Sequence, residues 1–548
     1  MKKILLNITL ILTVFYATSN DRNKYFEMAK NLELFTNVYK ELNASYVDEI
    51  DPNQLMTDGI VKMLEGLDPF TNYITGADID EYQMQTTGKY GGIGSRIAKI
   101  NDRIVLTEPY QGYPAYKAGL EPGDVILEID GKSCTKYNSS EVSELLKGEP
   151  GTMITLKVQK AVSNEEKTYT FERAEIKLNN VVFAEMLNNE VGYIKLISFT
   201  DDAANEVQEA VLKFKKNPSL KGIVLDLRGN GGGLLGEAIN ICNTFVDKGT
   251  TIVNTKGKAP ENNYEYATQS NPIDINIPIA VLIDGGSASA SEIVSGSIQD
   301  LDRGVIIGNN SYGKGLVQST KPLGYKSKLK LTISKYYIPS GRCIQRIDYS
   351  HRDESGHANT IPDSLRTSFK TKNGRTVKDG AGIEPDIKTT EAEVAPVTIA
   401  LYVNNHIFDY ANYYKYNNKT LRDSVQFNIN DVEYNNFIEF LKGKEYKYTS
   451  KTEESIKELN KLIKDENYSD EIKHTLSDIE KKIENDKTQD LIKYKKEISE
   501  LLNQEIVFRY YNEKGRIANS LNYDTDVNTA KKLLANPTQY KEILTVKK

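Results

Sequence analysis

Two short motifs between residues 285 and 318 combine residue types that are able to hydrolyse an acyl bond. The segment reads GGSASASEIVSGSIQDLDRGVIIGNNSYGKGLVQ, with a serine cluster that opens a helix and a lysine, Lys314, between two glycines. The first 350 residues contain no histidine. A serine hydrolase built here would therefore need another base, and Lys314 is the candidate.

The lysine is able to act as a base only under restrictive conditions. Burial must lower its pKa from about 10.4 to roughly 7 to 8, so that the neutral amine is available near neutral pH. Gly313 and Gly315 allow the surrounding chain to approach closely and exclude water. Gln318 follows four residues after Lys314 and is a candidate hydrogen-bond partner that orients the amine.

The residues alone do not choose the nucleophile among Ser287, Ser289 and Ser291. They also leave open a structural interpretation, in which SASAS is a small-residue helix entry and Lys314 is a solvated turn lysine. The whole string, however, resembles the active-site segment of the carboxyl-terminal processing peptidases, the tail-specific Ser-Lys proteases that carry a PDZ domain. This resemblance implies that Ser289 is the nucleophile, Lys314 its base and Gln318 the orienting glutamine.

Composition limits the remaining function classes. The chain of 548 residues has a formal charge of −6, from 76 acidic and 70 basic residues, so it offers no sustained positive field and we expect no nucleic-acid binding. Its four histidines and three cysteines show no metal-ligand spacing, and we predict neither a metal nor another cofactor. We expect Cys134, Cys242 and Cys343 to be packed thiols, with one disulfide as the alternative.

The N-terminal sequence predicts export. MKKILLNITLILTVFYATSN has two lysines, an apolar run from Ile4 to Ala17 and a small-x-small site. We interpret residues 1–19 as a cleavable signal and expect a periplasmic or cell-envelope location. An uncleaved N-terminal membrane anchor is the alternative.

The next two segments predict helices and then a PDZ domain. Residues 20–85 show helical spacing and end in LDPFTNYIT, which resembles the element before the PDZ domain in this family, with Phe70 in place of the usual histidine. Residues 86–165 carry a glycine loop, the P-x-x-A-G-L-x-P-G-D-x-I pattern and a helix with a capping box at Asn138. The resemblance implies that a peptide adds as a strand beside this helix. Its terminal carboxylate would bind the backbone amides of Gly91, Gly92, Ile93 and Gly94.

Residues 166–390 alternate short apolar runs with helical patterns, which predicts an α/β layer architecture. By resemblance this is the Ser-Lys protease core, of the crotonase/ClpP-like type. Three glycines after one strand satisfy G-x-G-x-x-G, but the following strand reads TIVNTK and lacks the acidic residue that a dinucleotide site requires. In the family that the chain resembles, a D-L-R-x-N-x-G-G string supplies a backbone oxyanion donor, so the resemblance implies Gly232 or Gly233 here, with the amide of Ala290 as the second donor.

Residues 391–548 are rich in helical patterns and charge, and we expect a C-terminal helical domain that caps the protease, forms a homo-oligomer or recruits an adaptor. Together the motifs predict an exported serine endopeptidase that cleaves proteins near their free C-termini. The main alternative is a PDZ scaffold on an inactive protease fold. A nucleotide-dependent enzyme is the third class.

Overall fold

The computed structural model describes residues 2–76, 78–390, 393–466, 468–487 and 489–546, and for residues 2–22 and 485 it describes the backbone alone. The side chains of the predicted signal, residues 1–19, therefore lie outside the described part of the chain. Within the described residues, no helix combines the length and apolarity that crossing a membrane requires. The chain divides into two compact units, residues 1–74 with 320–332 and residues 75–319 with 333–548.

The first unit is mainly helical, as predicted. Its elements are α1 (Lys2–Ser45), α2 (Pro52–Glu65) and the start of β1 (Asn72–Thr75). Asp51 begins α2, because its side chain accepts a hydrogen bond from the amide of Asn53 (2.8 Å). In the LDPFT element, Asp68 accepts hydrogen bonds from the hydroxyls of Thr71 (3.1 Å) and Thr332 (3.2 Å). The element is therefore hydrogen-bonded to the strand of the same unit that contains Thr332.

The second unit begins with the predicted PDZ fold. The elements are α3 (Asp78–Thr87), β2 (Lys89–Gly92), β3 (Ser95–Ile100), β4 (Arg103–Pro109), α4 (Pro114–Lys117), β5 (Val125–Ile129), β6 (Lys132–Ser133), α5 (Ser139–Leu146), β7 (Met153–Gln159), β8 (Glu166–Glu172) and β9 (Ala174–Lys177). The main sheet has the order β3-β4-β5-β7-β8, so β3 is an edge strand. The capping box at the start of α5 is confirmed, since Asn138 and Glu141 exchange hydrogen bonds of 2.7 and 3.0 Å. The sheet continues past the predicted boundary at residue 165, because β8 pairs with β7.

The region that the sequence predicts to be the protease core follows. Its elements are β10 (Val181–Leu187), β11 (Val191–Leu196), α6 (Ala203–Lys215), β12 (Gly222–Asp226), α7 (Leu235–Asn243), β13 (Thr251–Gly257), β14 (Tyr264–Ala267), β15 (Ile279–Ile283), α8 (Ala290–Asp300), β16 (Val305–Gly308), β17 (Leu316–Gly324), β18 (Ser327–Tyr337), β19 (Ile347–Arg352), β20 (Ala358–Thr360), β21 (Ser368–Lys370), β22 (Thr376–Lys378) and β23 (Ile387–Lys388). The central sheet has the order β10-β11-β12-β15-β16-β23 and is parallel from β11 to β23. The predicted α/β architecture is confirmed.

The C-terminal region is helical, with α9 (Pro396–Val403), α10 (His406–Asn417), α11 (Asp431–Phe440), α12 (Lys451–Asp465), α13 (Asp470–Lys487), α14 (Asp490–Lys493), α15 (Lys495–Ser520), α16 (Thr525–Leu534) and α17 (Pro537–Ile543). Helices α9 to α11 and α15 share one apolar cluster. The last two helices, α16 and α17, pack instead on the central sheet.

Side chains alternate between the two faces of a strand, and both faces of the central sheet are buried. On one face, Ile223, Leu225 and Val281 pack against α6, α7 and α8. The opposite face, which includes Val224 and Leu282, packs against α16 and α17 through Val527, Ala530, Leu533, Leu534 and Tyr540. Of the roles predicted for residues 391–548, capping the protease is thus observed. The oligomer and adaptor roles stay predictions.

Because α16 belongs to the protease core, truncating its side chains will destabilise the core. Leu534 is 2% exposed, and we expect Leu534→Ala to lower the free energy of unfolding by about 2 to 5 kcal/mol. Leu462 in α12 is 55% exposed and serves as the matched control, with an expected change within about 0.5 kcal/mol. Urea unfolding of both variants checks this. Equal effects of the two substitutions would show that α16 is dispensable to the core.

Candidate active site

The predicted nucleophile lies on a sharp turn between β15 and α8. Ser289 has φ 55° and ψ −112°, a backbone conformation that non-glycine residues rarely adopt and that the surrounding structure must hold in place. Its two serine neighbours are buried and have structural partners. The hydroxyl of Ser287 donates to the carbonyl of Leu227 (2.9 Å), and that of Ser291 donates to the carbonyl of Asn230 (2.8 Å). Ser289 itself is partly exposed.

The predicted base lies on a loop between β16 and β17. Gly313 has φ +88°, and a Cβ atom there would stand 2.5 Å from Cβ of Arg346, so both the conformation and the space require glycine. The amide of Gly315 donates to Oε1 of Gln345 (2.7 Å), which fixes the other side of the loop. Lys314 is partly buried between them, and Gln318 lies in β17 rather than in a helix.

A single buried carboxylate connects the turn with the loop. Oε2 of Glu292 accepts hydrogen bonds from the amides of Ser289 (2.8 Å) and Lys314 (2.9 Å). Oε1 accepts hydrogen bonds from the amide of Gly313 (2.7 Å) and the hydroxyl of Ser311 (2.5 Å). The structure thus brings the backbones of the two predicted catalytic residues to one oxygen atom.

Glu292 was not among the residues that the sequence identified. A signal for it exists, because Ser289-x-x-Glu292 is the pattern of a capping box at the start of a helix. The carboxylate is fully buried, and this burial raises the pKa of Glu292 to about 7, while its four hydrogen bonds act in the opposite direction.

The predicted oxyanion glycines lie on the turn of residues 227–233, which follows β12. Gly232 has φ +97°, and a Cβ atom there would stand 2.7 Å from the carbonyl oxygen of Ala288 and 2.8 Å from the amide nitrogen of Ala290. The turn therefore contacts the nucleophile turn, and only glycine permits the approach. The amide of Gly232 donates to Oδ1 of Asn230 (2.9 Å). An oxyanion would have to share or replace this bond.

Gly233 is held by a different contact. It has φ +152° and forms a β-bridge with Phe199, through hydrogen bonds from Phe199 N to the carbonyl of Gly232 (3.2 Å) and from Leu234 N to the carbonyl of Phe199 (2.7 Å). Neither bond uses the amide of Gly233. The two predicted donor positions therefore differ. The amide of Gly232 donates to Asn230, whereas the bridge at Gly233 does not use the amide of Gly233.

The predicted carboxylate loop of the PDZ domain is partly strand. Gly91 and Gly92 belong to β2, which pairs with β9, and the carbonyl of Gly91 accepts a hydrogen bond from Gly148 N (3.2 Å). Ile93 is buried in the core of the domain, and Gly94 has φ +72°. The edge strand β3 follows directly and packs beside α5. Among the described strands, β3 pairs with β4 alone, which is the geometry that strand addition requires.

The remaining candidates for metal or redox chemistry stay apart. Cys134, Cys242 and Cys343 carry free thiols. In the part of the chain with described side chains, no group of three or more His, Cys, Asp and Glu residues is arranged for a metal ion.

Comparisons with known proteins identify relatives of this chain. The family described as "Peptidase family S41" matches residues 190–350. This range includes the turn of residues 227–233, Ser289 and Lys314. A carboxy-terminal-processing protease of Bartonella bacilliformis is 37% identical over 333 residues, 60% of this chain and 75% of that protein. The chain belongs to peptidase family S41. The resemblance drawn from the sequence is confirmed.

Other similarities of this S41 peptidase cover further regions. A probable CtpA-like serine protease of Staphylococcus aureus is 35% identical over 382 residues, 67% of this chain and 75% of that protein. Residues 105–160 match the PDZ domain family. Residues 397–534 match the family described as "Probable PDZ-protease, C-terminal helical domain". A solved photosystem II D1 C-terminal processing protease is 26% identical, covering 65% of this chain and 92% of that chain, with a TM-score of 0.36.

The raised pKa of Glu292 predicts a specific dependence of stability on pH. Between about pH 4.5 and 7 the folded protein binds a proton at Glu292, whereas the unfolded chain does not. The contribution of Glu292 to the free energy of unfolding therefore falls as pH rises through this window and is constant above it. Glu292→Gln does not titrate. The free energy of unfolding of the natural protein, relative to that of Glu292→Gln, should decrease by about 3 kcal/mol between pH 4.5 and 8.

Urea titrations of both proteins across this range give the difference directly, because all other titrating groups are shared. A difference that increases with pH would show that the four hydrogen bonds to Glu292 outweigh its burial.

Proposed function

We propose that this S41 peptidase is an exported endopeptidase that cleaves proteins near their C-termini with a Ser289–Lys314 dyad. The observation that carries the proposal is the shared oxygen of Glu292, which accepts hydrogen bonds from the amides of both residues. Further support comes from the relative named for carboxy-terminal processing. Export rests on the N-terminal sequence, and an uncleaved membrane anchor is its variant.

In the proposed reaction, Oγ of Ser289 attacks the scissile carbonyl while the neutral amine of Lys314 takes up the hydroxyl proton. The tetrahedral oxyanion is stabilised by the amide of Ala290 and by that of Gly232 or Gly233. Collapse of the intermediate breaks the C–N bond, and Lys314 returns the proton to the leaving amine. A water molecule, deprotonated by Lys314, then releases the acyl group and regenerates Ser289. Gln318 orients the amine of Lys314.

Recognition of the substrate is assigned to the PDZ domain. A free C-terminus binds at the amides around Gly91, Gly92, Ile93 and Gly94, and the peptide pairs with the open edge of β3. What supports this is the edge position of β3 in its sheet and the packing of α5 beside it. Substrates are therefore proteins or peptides with free C-termini.

The serine cluster gives a test with internal controls. Ser289→Ala should abolish cleavage of an unstructured protein without lowering the thermal midpoint. Ser287→Ala and Ser291→Ala each remove one hydrogen bond to the turn of residues 227–233, worth about 1 kcal/mol of stability, and should retain substantial activity. Cleavage assays and thermal unfolding of the three variants check this. Equal loss of activity in all three would indicate a packing role and support an inactive scaffold.

Carboxylate capture by the PDZ domain is tested with paired peptides. Amidating the C-terminus removes a negative charge, and charge-assisted hydrogen bonds contribute roughly 1.5 to 3 kcal/mol each. Binding to the full-length Ser289→Ala variant should therefore weaken at least about tenfold, as measured by calorimetry. Indistinguishable affinities of the free and amidated peptides would eliminate carboxylate capture.

A further inference from the structure

The C-terminal region makes a charged contact with the turn of residues 227–233, close to the proposed active site. Arg228, at the start of this turn, donates from Nη1 to Asp524 (3.1 Å) and Asp526 (2.9 Å), and from Nη2 to Asp524 (2.7 Å). Exposed fractions are 19%, 16% and 14% for the three side chains. Hydrogen bonds between partly buried ions of this kind are among the strong ones.

Arg228 also organises the turn from inside. Its backbone amide and Nε both donate to Oδ1 of Asp226 (2.9 and 3.0 Å), a carboxylate that is 1% exposed at the end of β12. The carbonyl of Arg228 accepts a hydrogen bond from Nζ of Lys195 (2.8 Å). The side chain and the backbone of Arg228 are therefore fixed together, and a shift of one moves the other.

The residues next to Arg228 carry this position to the nucleophile turn. The amide of Gly229 donates to Oδ1 of Asp284 (2.8 Å), and the carbonyl of Asn230 accepts from the amide of Ala288 (3.0 Å). Asp284 and Ala288 both belong to the turn that ends at Ser289. The placement of Arg228 thus bears on the geometry between Gly232 and Ser289.

The two aspartates lie at the start of α16, Asp524 as its cap and Asp526 in its first turn. Asp524 caps α16, since its Oδ1 accepts a hydrogen bond from the amide of Val527 (3.0 Å). Helix α16 is anchored on the protease sheet by four side chains that are nearly fully buried, Val527, Ala530, Leu533 and Leu534. A carboxylate at a helix N-terminus is also stabilised by the helix dipole. Arg228 is therefore hydrogen-bonded to the N-terminus of an anchored helix, α16, which lies outside residues 190–350, the range that matches family S41.

We propose that Asp524 and Asp526 are positioning residues for the peptidase reaction, which hold Arg228 and thereby the oxyanion side of the site against Ser289. The inference rests on the proposed function, because it assigns the oxyanion donor to the turn of residues 227–233. It gives the C-terminal region a role in turnover beyond its contribution to stability.

The test compares two ways of weakening the contact between the C-terminal region and the core. The double variant Asp524→Asn/Asp526→Asn removes both charges, while asparagine at 524 still caps α16. Tyr540→Phe is the matched control. It removes a hydroxyl that hydrogen-bonds both the amide and the carbonyl of Ile279 (3.0 Å each), on the same sheet at the start of β15.

Three quantities are measured on the full chain: kcat and KM for an unstructured substrate, hydrogen exchange of the amides in residues 227–233, and the thermal midpoint. We expect the double variant to lower kcat by about tenfold with KM changed less than about twofold, and to accelerate exchange in this turn. We expect Tyr540→Phe to lower the thermal midpoint while kcat and exchange in the turn stay unchanged.

Unchanged kcat and exchange in the double variant, or changes matched by Tyr540→Phe, would overturn the inference. The exchange measurement does not depend on catalysis. If Ser289→Ala proved as active as the natural protein, the proposed dyad would fail, while accelerated exchange in the double variant would still establish that the two aspartates hold the turn.

Discussion

The buried carboxylate of Glu292 is the constraint on which the arrangement of the site depends. A carboxylate removed from water is costly unless donors satisfy its oxygens, and here all four come from the two segments that carry Ser289 and Lys314. Displacing the loop of Lys314 would remove three of the four donors, and displacing the turn of Ser289 would remove the fourth. The strained backbone of Ser289 is therefore held by an interaction that also fixes the loop of Lys314.

The central sheet extends this constraint to the rest of the chain. The strand β15 leads into the nucleophile turn and β12 leads into the turn of residues 227–233, and these strands are parallel neighbours. Both turns therefore emerge at the same edge of the sheet, where their glycines allow close approach. The sheet needs a helical layer on each face, and the C-terminal helices α16 and α17 supply part of the second layer.

Local patterns were sufficient to predict much of this. The apolar runs at residues 222–226, 279–283 and 305–308 are buried on both faces, and such runs are typical of a central parallel sheet. The capping box at Asn138 follows from residues three apart in sequence. In each case the information lies within one element.

Contacts between distant segments were not predictable in the same way. The pairing of Arg228 with Asp524 spans 296 residues, and nothing near either residue indicates its partner. Likewise, Ser287 and Ser291 are buried with hydroxyls that donate to carbonyls of a distant turn, whereas Ser289 is partly exposed, and these differences depend on the fold. The strand assignment of Gly91 and Gly92 depends on pairing with β9, more than 80 residues away.

The central claim is that Glu292 holds Ser289 and Lys314 in a reactive arrangement. The most direct measurement is the rate at which a fluorophosphonate modifies Ser289, located by mass spectrometry, in the natural protein and in Glu292→Gln. A glutamine must turn its amide group toward two of the four donors, so the account predicts modification of Ser289 alone and a rate at least about tenfold lower in the variant. Equal rates in the two proteins, or modification at Ser287 or Ser291, would contradict it.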